Sequence, residues 1–154
     1  MSAGTQRILL TGGAGFIGSH VAEALLRRDA HVTIVDNLDD FYPRAWKESN
    51  LAEIRRAGQF EFCEVDICEM ERLRQVVERT QPQVVIHLAA RAGVRPSIEN
   101  PRLYERVNIT GTLNLLELCR EFKVSKLLFG SSSSVYGVTS RVPFSEDNFE
   151  PPCR

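Results

Sequence analysis

Residues Thr11 to Gly18 read TGGAGFIG, which contains both Gly13-x-Gly15-x-x-Gly18 and the wider Gly12-x-x-Gly15-x-x-Gly18. Glycine at this spacing serves a tight strand-to-helix turn, lets backbone approach a diphosphate, and lets a helix sit down on a sheet. The unpaired amides at the start of that helix, reinforced by its dipole, can then hold phosphate charge. A glycine-rich turn by itself is common. This one follows an apolar run, opens a helical pattern, and precedes Asp36, eighteen positions beyond Gly18. A carboxylate there accepts hydrogen bonds from ribose hydroxyls and repels a 2′-phosphate, which favours NAD over NADP. The plain alternative is a structural turn with a solvated aspartate. Asp66, at the end of a later apolar segment, either bonds an adenine or caps the next helix.

Such a site has to be positioned by alternating strands and helices. Arg7 to Thr11 (RILLT) is short and apolar, as a strand covered on both faces should be. Gly15 to about Asp29 follows helical period, with Val21, Ala24 and Leu25 as its apolar stripe. His31 to Asp36 (HVTIVD) is a β-branched second strand. Asn37 to Trp46 reads as a loop and Lys47 to Ala57 as a helix stopped by Gly58. Gln59 to Asp66 makes a third strand. Glu69 to Thr80 forms a helix with Leu73, Val76 and Val77 inward, which Pro82 prevents from continuing. Gln83 to Ala89 is the fourth strand, Ala90 to Asn100 a loop, and Pro101 to Phe122 one long helix with proline in its first turn. Lys126 to Ser131 is the fifth strand. Ser132 to Arg154 has no periodicity and carries Pro143, Pro151 and Pro152. The expected fold class is therefore α/β, a Rossmann-type doubly wound parallel sheet of order 3-2-1-4-5.

Composition agrees with one globular domain. The chain has 154 residues, 19 Lys plus Arg against 20 Asp plus Glu, and 43% apolar residues. A near-neutral balance without a basic run argues against a nucleic-acid partner. No apolar stretch approaches the roughly 20 residues of a membrane span, and Met1 to Gln6 lacks a secretory-signal layout. Cys63, Cys68, Cys119 and Cys153 form no C-x-x-C pair and have no histidine at metal spacing. They read as reduced, mostly buried thiols, which implies a cytoplasmic protein and no metal site.

The ordered motifs TGGAGFIGSH from Thr11, VDNL from Val35, HLAA from His87, Asn108 with Gly111-Thr112, and SSSSVYG from Ser131 resemble the N-terminal half of the extended short-chain dehydrogenases. More narrowly, they resemble the NAD-dependent nucleotide-sugar epimerases and dehydratases. DNLDDFY and the run from Ala92 to Pro101 look most like UDP-glucuronate 4-epimerases. The resemblance implies that Gly12, Gly15 and Gly18 hold the diphosphate of NAD, with Phe16 and Ile17 beside it. It further implies that Asp36 and Asn37 bond the adenosine ribose, that Asp66 and Ile67 flank the adenine, and that Leu88, Ala89 and Ala90 pass behind the nicotinamide. Ser132 falls at the catalytic serine or threonine position, and Ser133 and Ser134 would face the sugar of a UDP-sugar substrate. Arg91 and Arg95 are candidates for a glucuronate carboxylate, which guanidinium pairs with bidentately, or else are ordinary solvated loop residues.

The implied reaction removes hydride from sugar C4, turns over a 4-keto intermediate and returns hydride to its other face. It needs a tyrosine that is ionised at working pH, although a phenol normally titrates near 10. A nearby lysine must lower that value, hence the family's Tyr-x-x-x-Lys pair. None of the three tyrosines qualifies, because Trp46, Asn108 and Ser140 stand four residues after Tyr42, Tyr104 and Tyr136. By family spacing the pair falls beyond Arg154. Residues 1–154 are thus expected to be an NAD-binding domain truncated before the substrate part, lacking the uridine site and the helix that completes the family's homodimer, and inactive alone. Two alternatives stand beside the epimerase reading. One is a non-catalytic NAD-binding module; the other is a related sugar-nucleotide dehydratase or reductase, disfavoured because family dehydratases tend to carry acidic residues where Ser133 and Ser134 stand.

Several residues have blander readings. His87 is expected to be a hydrogen-bonded core histidine and Tyr136 a packing residue. Asn108 is expected to bond backbone near the site, and Asp39-Asp40 and Glu146-Asp147 to be exposed turn residues. Lost cover over Leu113 to Leu118 and beside the fifth strand is expected to leave apolar surface exposed.

Overall fold

The computed structural model describes residues 5–136 and 142–146. Cys153, Asp147, Pro151 and Pro152 lie outside them. Five strands form one parallel sheet of order β3-β2-β1-β4-β5, as the sequence pattern implies. They are β1 (Arg7–Thr11), β2 (His31–Asp36), β3 (Glu61–Glu64), β4 (Val84–His87) and β5 (Lys126–Phe129). Helices α1 (Phe16–Leu26), α2 (Arg44–Ala57), α3 (Met70–Thr80), α4 (Val94–Glu99), α5 (Pro101–Glu105) and α6 (Thr112–Glu121) connect them.

Strand residues alternate between two cores because successive side chains leave opposite faces of the sheet. Leu9, Val35 and Val85 join Leu73 and Val77 of α3 and Leu115 and Leu118 of α6. Leu10 and Ile34 join Ala22 and Leu26 of α1 and Leu51 and Ile54 of α2. Burying each of these large side chains contributes roughly 1.5–3 kcal/mol. The register aligns Thr11 with both Val35 and His87, and His87 with Phe129. Gly12, Leu88 and Gly130 therefore all leave the sheet at one edge, beside Asp36.

Four expectations need correction. The buried face of α1 is Gly18, Ser19, Ala22 and Leu26, whereas Ala24 is exposed and Val21 and Leu25 are only half-buried. Small residues face inward because the helix start must sit against the glycine turn. Helix α2 starts at Arg44, inside the expected loop, with Pro43 preceding it as a rigid entry. The loop Ala90 to Asn100 contains α4. The expected helix Pro101 to Phe122 is divided, since Arg106–Gly111 adopts a π turn between α5 and α6. A π turn adds one residue per turn, a local widening often found at functional sites.

Candidate functional site

The glycine turn is fixed by backbone. Gly12 adopts φ +72°, a left-handed conformation natural to glycine, and its amide donates to the Val35 carbonyl at 2.8 Å. The first intrahelical bond of α1 runs from the Ser19 amide to the Gly15 carbonyl at 2.9 Å. The amides of Phe16, Ile17 and Gly18 precede it and have no intrahelical acceptor, and no side chain among the described residues caps this helix. A methyl at Gly18 would lie 2.2 Å from the Gly12 carbonyl oxygen, and one at Gly12 would lie 2.7 Å from the Ala89 nitrogen. The turn is thus held close both to its own helix and to the loop after β4.

Asp36 ties this turn to the second strand. Its Oδ2 accepts from the Ala14 amide at 3.1 Å. Its Oδ1 accepts from the Leu38 amide at 2.9 Å and from Lys47 Nζ at 3.2 Å. The Asp36 and Lys47 side chains are 5% and 10% exposed, so this is a buried ion pair. A carboxylate offers about four lone-pair positions. Three protein donors leave one, so Asp36 organises the turn first and retains a single place for a hydroxyl. Asn50 completes the support, donating from Nδ2 to the Ala14 carbonyl at 2.9 Å. Sequence reading missed Lys47 and Asn50; both lie on the inner side of α2, whose start the loop-like residues before it conceal.

These elements border a cleft of about 420 Å3. Gly12, Gly15, Phe16, Ile17, Gly18, Asp36, Asn37, Asp66, Ile67, Leu88, Ala89 and Ala90 all line it, so the structure brings together every expected cofactor residue. Asn37 Nδ2 donates to Asp66 Oδ2 at 3.3 Å. Asp66 Oδ1 accepts from the Cys68 amide at 2.8 Å. Because the cap of α3 is Glu69, Asp66 closes the turn before the helix and does not cap the helix itself.

The substrate-side residues behave differently. Gly130 and Ser131 reach the cleft, whereas Ser132, Ser133 and Ser134 are not among its lining residues. All three are exposed, and Ser132 Oγ accepts from the Ser134 amide at 3.3 Å at the start of a 3-10 turn over Ser133–Tyr136. Tyr136 stacks on Phe144 at 4.8 Å, a packing role. Arg95 is exposed on α4 and does not line the cleft. Arg91 is not a solvated loop residue. It lines the cleft, its side chain is 17% exposed, and its Nη2 donates to both Asp39 oxygens at 2.6 Å. Asp39 is consequently no simple surface turn residue, although Asp40 is fully exposed. Burial tends to raise the Asp39 pKa, but the Arg91 hydrogen bond and charge and the Phe41 amide hold it below the usual value.

Two polar groups fix the floor beneath the cleft. His87 is 2% exposed; its Nδ1 pairs with Thr11 Oγ1 at 2.6 Å and its Nε2 with Thr112 Oγ1 at 3.0 Å. Burial lowers its pKa to about 4, so the ring is neutral near pH 7. Asn108, in the π turn, accepts at Oδ1 from the Arg91 amide (2.8 Å) and donates from Nδ2 to the Arg91 carbonyl (2.9 Å). This is the backbone role expected of it. Cys63, Cys68 and Cys119 are free and half-buried, less buried than expected. Burial pushes all three thiols up, that of Cys68 to about 11. Among the described residues, no helix is long and apolar enough to cross a membrane.

This geometry has close counterparts. The chain is 46% identical over 148 residues to Protein CapI of Staphylococcus aureus, covering 96% of this chain and 44% of that protein. It is 49% identical over 139 residues to a UDP-glucuronate 4-epimerase of Thermodesulfobacterium geofontis, covering 90% and 43% of the two chains. It superposes with TM-score 0.80 and 32% identity on a UDP-glucose 4-epimerase of Stenotrophomonas maltophila with bound NAD, over 92% of this chain and 41% of that one. The chain thus spans less than half the length of these relatives. A family model described as GDP-mannose 4,6 dehydratase matches residues 9–153, and with the glycine turn, the Asp36 anchor and the 3-2-1-4-5 sheet in place, the chain belongs to that family of nucleotide-sugar epimerases and dehydratases.

Proposed function

We propose that the chain binds NAD in the cleft and forms the cofactor-holding part of a UDP-sugar 4-epimerase of the UDP-glucuronate type. The observation that carries this reading is the hydrogen bond from the Ala14 amide to Asp36 Oδ2. It locks an anion-binding turn and a hydroxyl-accepting carboxylate into one unit at the sheet's carboxyl edge. The residues fit the cofactor. Gly12, Gly15 and Gly18 leave room against the unpaired amides of Phe16 and Ile17 for the diphosphate. The free position on Asp36, with Asn37, suits the adenosine ribose, Asp66 and Ile67 the adenine, and Leu88 to Ala90 the nicotinamide side. Lys47 neutralises Asp36 from within, yet the carboxylate still stands where a 2′-phosphate would crowd it, which supports NAD over NADP.

When bound, NAD supplies a reversible hydride acceptor for sugar C4. Within this chain, Ser132 is the residue proposed to hold the reacting hydroxyl, with Ser133 and Ser134 beside the sugar. Arg95, exposed and with no ion pair among the described residues, is freer than Arg91 to meet a substrate carboxylate. No tyrosine here is followed four residues later by lysine, so the proton-accepting phenolate is not supplied by a Tyr-x-x-x-Lys pair of these residues. The 154 residues are accordingly proposed to bind cofactor without turning over substrate, in the cytoplasm, and as part of a homodimer. The second reading, a binding module without catalysis, is favoured by the same missing pair. Fluorescence titration of the chain with NADH tests the proposal: saturable binding, weakened at least about tenfold (roughly 1.4 kcal/mol) by Asp36→Ala, is expected. Absence of binding to folded protein overturns it. Epimerase assay with UDP-glucuronate is expected to show no turnover, and measurable turnover would refute the inactivity.

A further inference from the structure

We infer that Asp39 and Arg91 form a clasp across the cofactor cleft, closing over the dinucleotide's diphosphate and slowing its departure. The inference rests on the proposed nucleotide site and adds a positioning pair that the glycine turn and Asp36 do not include. In the sheet order, β2 and β4 flank β1 on either side, and the glycine turn leaves the end of β1. Asp39 belongs to the loop after β2, Arg91 to the loop after β4. A bridge between those loops spans the carboxyl end of β1, in the cleft that the glycine turn also lines. The bridge is made, with both Asp39 oxygens at 2.6 Å from Arg91 Nη2, and the guanidinium carbon lies 5.7 Å from the Phe41 ring centroid. Both residues line the cleft.

Two further observations separate this bridge from an ordinary ion pair. The Arg91 backbone is held on both its amide and its carbonyl by Asn108, so one end of the clasp is anchored to the π turn. Arg91 Nε is buried and has no hydrogen-bond partner among the described residues. A buried, charged donor left unpaired is costly, which leaves the Asp39 contact as the side-chain hydrogen bond that holds the guanidinium among the described residues. Arg91 thus offers Nη2 to Asp39 in a charge-assisted bond, and its guanidinium brings positive charge to the wall of the cleft. Its commitment to Asp39 also explains why this arginine is poorly placed to receive a substrate carboxylate.

Stopped-flow NADH fluorescence on the full chain tests the clasp, with cooperative melting of each cofactor-free variant as the folding control. Asp39→Asn, nearly isosteric, and Arg91→Met are expected to raise the NADH dissociation rate by about tenfold, in keeping with loss of a largely buried charge pair. Association should be unchanged or faster, because entry no longer requires the bridge to part. A merely structural role would instead slow association. Arg91→Lys, which keeps charge but loses the fork, is expected to fall between. Dissociation rates within twofold of the unaltered chain in both main variants, slower association, or tighter binding by Asp39→Asn would overturn the clasp while leaving the nucleotide site standing. Failure of the unaltered chain to bind NADH would overturn both.

Discussion

At the scale of single residues, the site depends on atoms that are missing as much as on those present. Gly18 sits with the Gly12 carbonyl oxygen and Gly13 Cα at 2.2 and 2.7 Å from where a methyl would be. Both are backbone atoms, so no side chain can swing aside. Gly18→Ala is expected to destabilise the fold by about 1–3 kcal/mol, as overpacking does, and to weaken NADH binding by displacing the turn. Thermal melting and NADH titration check the two effects separately. Lys47 makes a different demand. With Asp36 5% exposed, Lys47→Met leaves a buried carboxylate facing only the Ala14 and Leu38 amides, and breaking such a pair costs on the order of 3–5 kcal/mol. The double variant Lys47→Met with Asp36→Asn is expected to recover much of that loss in a denaturation cycle, while NADH binding stays impaired. Equal stability of Lys47→Met and the unaltered chain would show the pair to be dispensable.

At the scale of elements, what could be read from sequence was what depends on local pattern. Leu73, Val76 and Val77 on α3 repeat at helical spacing and do face the core. The apolar strands with their intervening helices imply the sheet order found. The failures share a cause: none of these features shows in hydrophobic spacing. Gly18, Ser19 and Ala22 line the buried face of α1 because the turn must approach closely, which hydrophobicity cannot register. The π turn adds a residue without breaking the apolar rhythm of Pro101 to Phe122, yet it places Asn108 against the Arg91 backbone and Thr112 against His87. Asp39 and Arg91, 52 positions apart, carry no mutual signal in a single chain. The residues expected at the cofactor come together in one cleft because they lie at the glycine turn and just past the ends of β2, β3 and β4, while the charged groups that brace them left no mark in the sequence pattern.

His87 gives the elements a measurable coupling. Its ring joins β1 through Thr11 to α6 through Thr112. Its pKa falls from 6.5 to about 4 on burial. The unfolded chain therefore binds more protons than the folded one between those values, and stability rises with pH across that window. The contribution is fully present above about pH 6.5 and is lost as pH falls towards 4. At about 1.4 kcal/mol per pKa unit, the difference reaches roughly 3 kcal/mol. Urea denaturation of the unaltered chain is expected to show this decline, and His87→Gln is expected to flatten it between pH 6.5 and 4. A slope that survives the substitution would assign the effect to other groups.

At the scale of the whole molecule, burial is uneven. Leu115 and Leu118 of α6 are buried, whereas Leu113 and Leu116 of the same helix are 54% and 44% exposed, with Ile109 of the π turn also exposed. Leu128 and Phe129 are exposed on β5, which among the described residues pairs only with β4 and so presents an open edge. Exposed apolar side chains beside a strand edge favour association, and Leu128 and Phe129 stand just before Ser132 to Ser134. The chain is therefore expected to self-associate, with an apparent mass in sedimentation velocity that rises with concentration. Leu113→Glu with Leu116→Glu changes only exposed positions, so it is expected to reduce association while leaving the melting transition and NADH affinity nearly unchanged. A monomer over the same concentration range in the unaltered chain would show that this surface is too small or too broken by polar groups to drive assembly. A loss of NADH affinity in the double variant would show that it instead supports the cleft through the π turn.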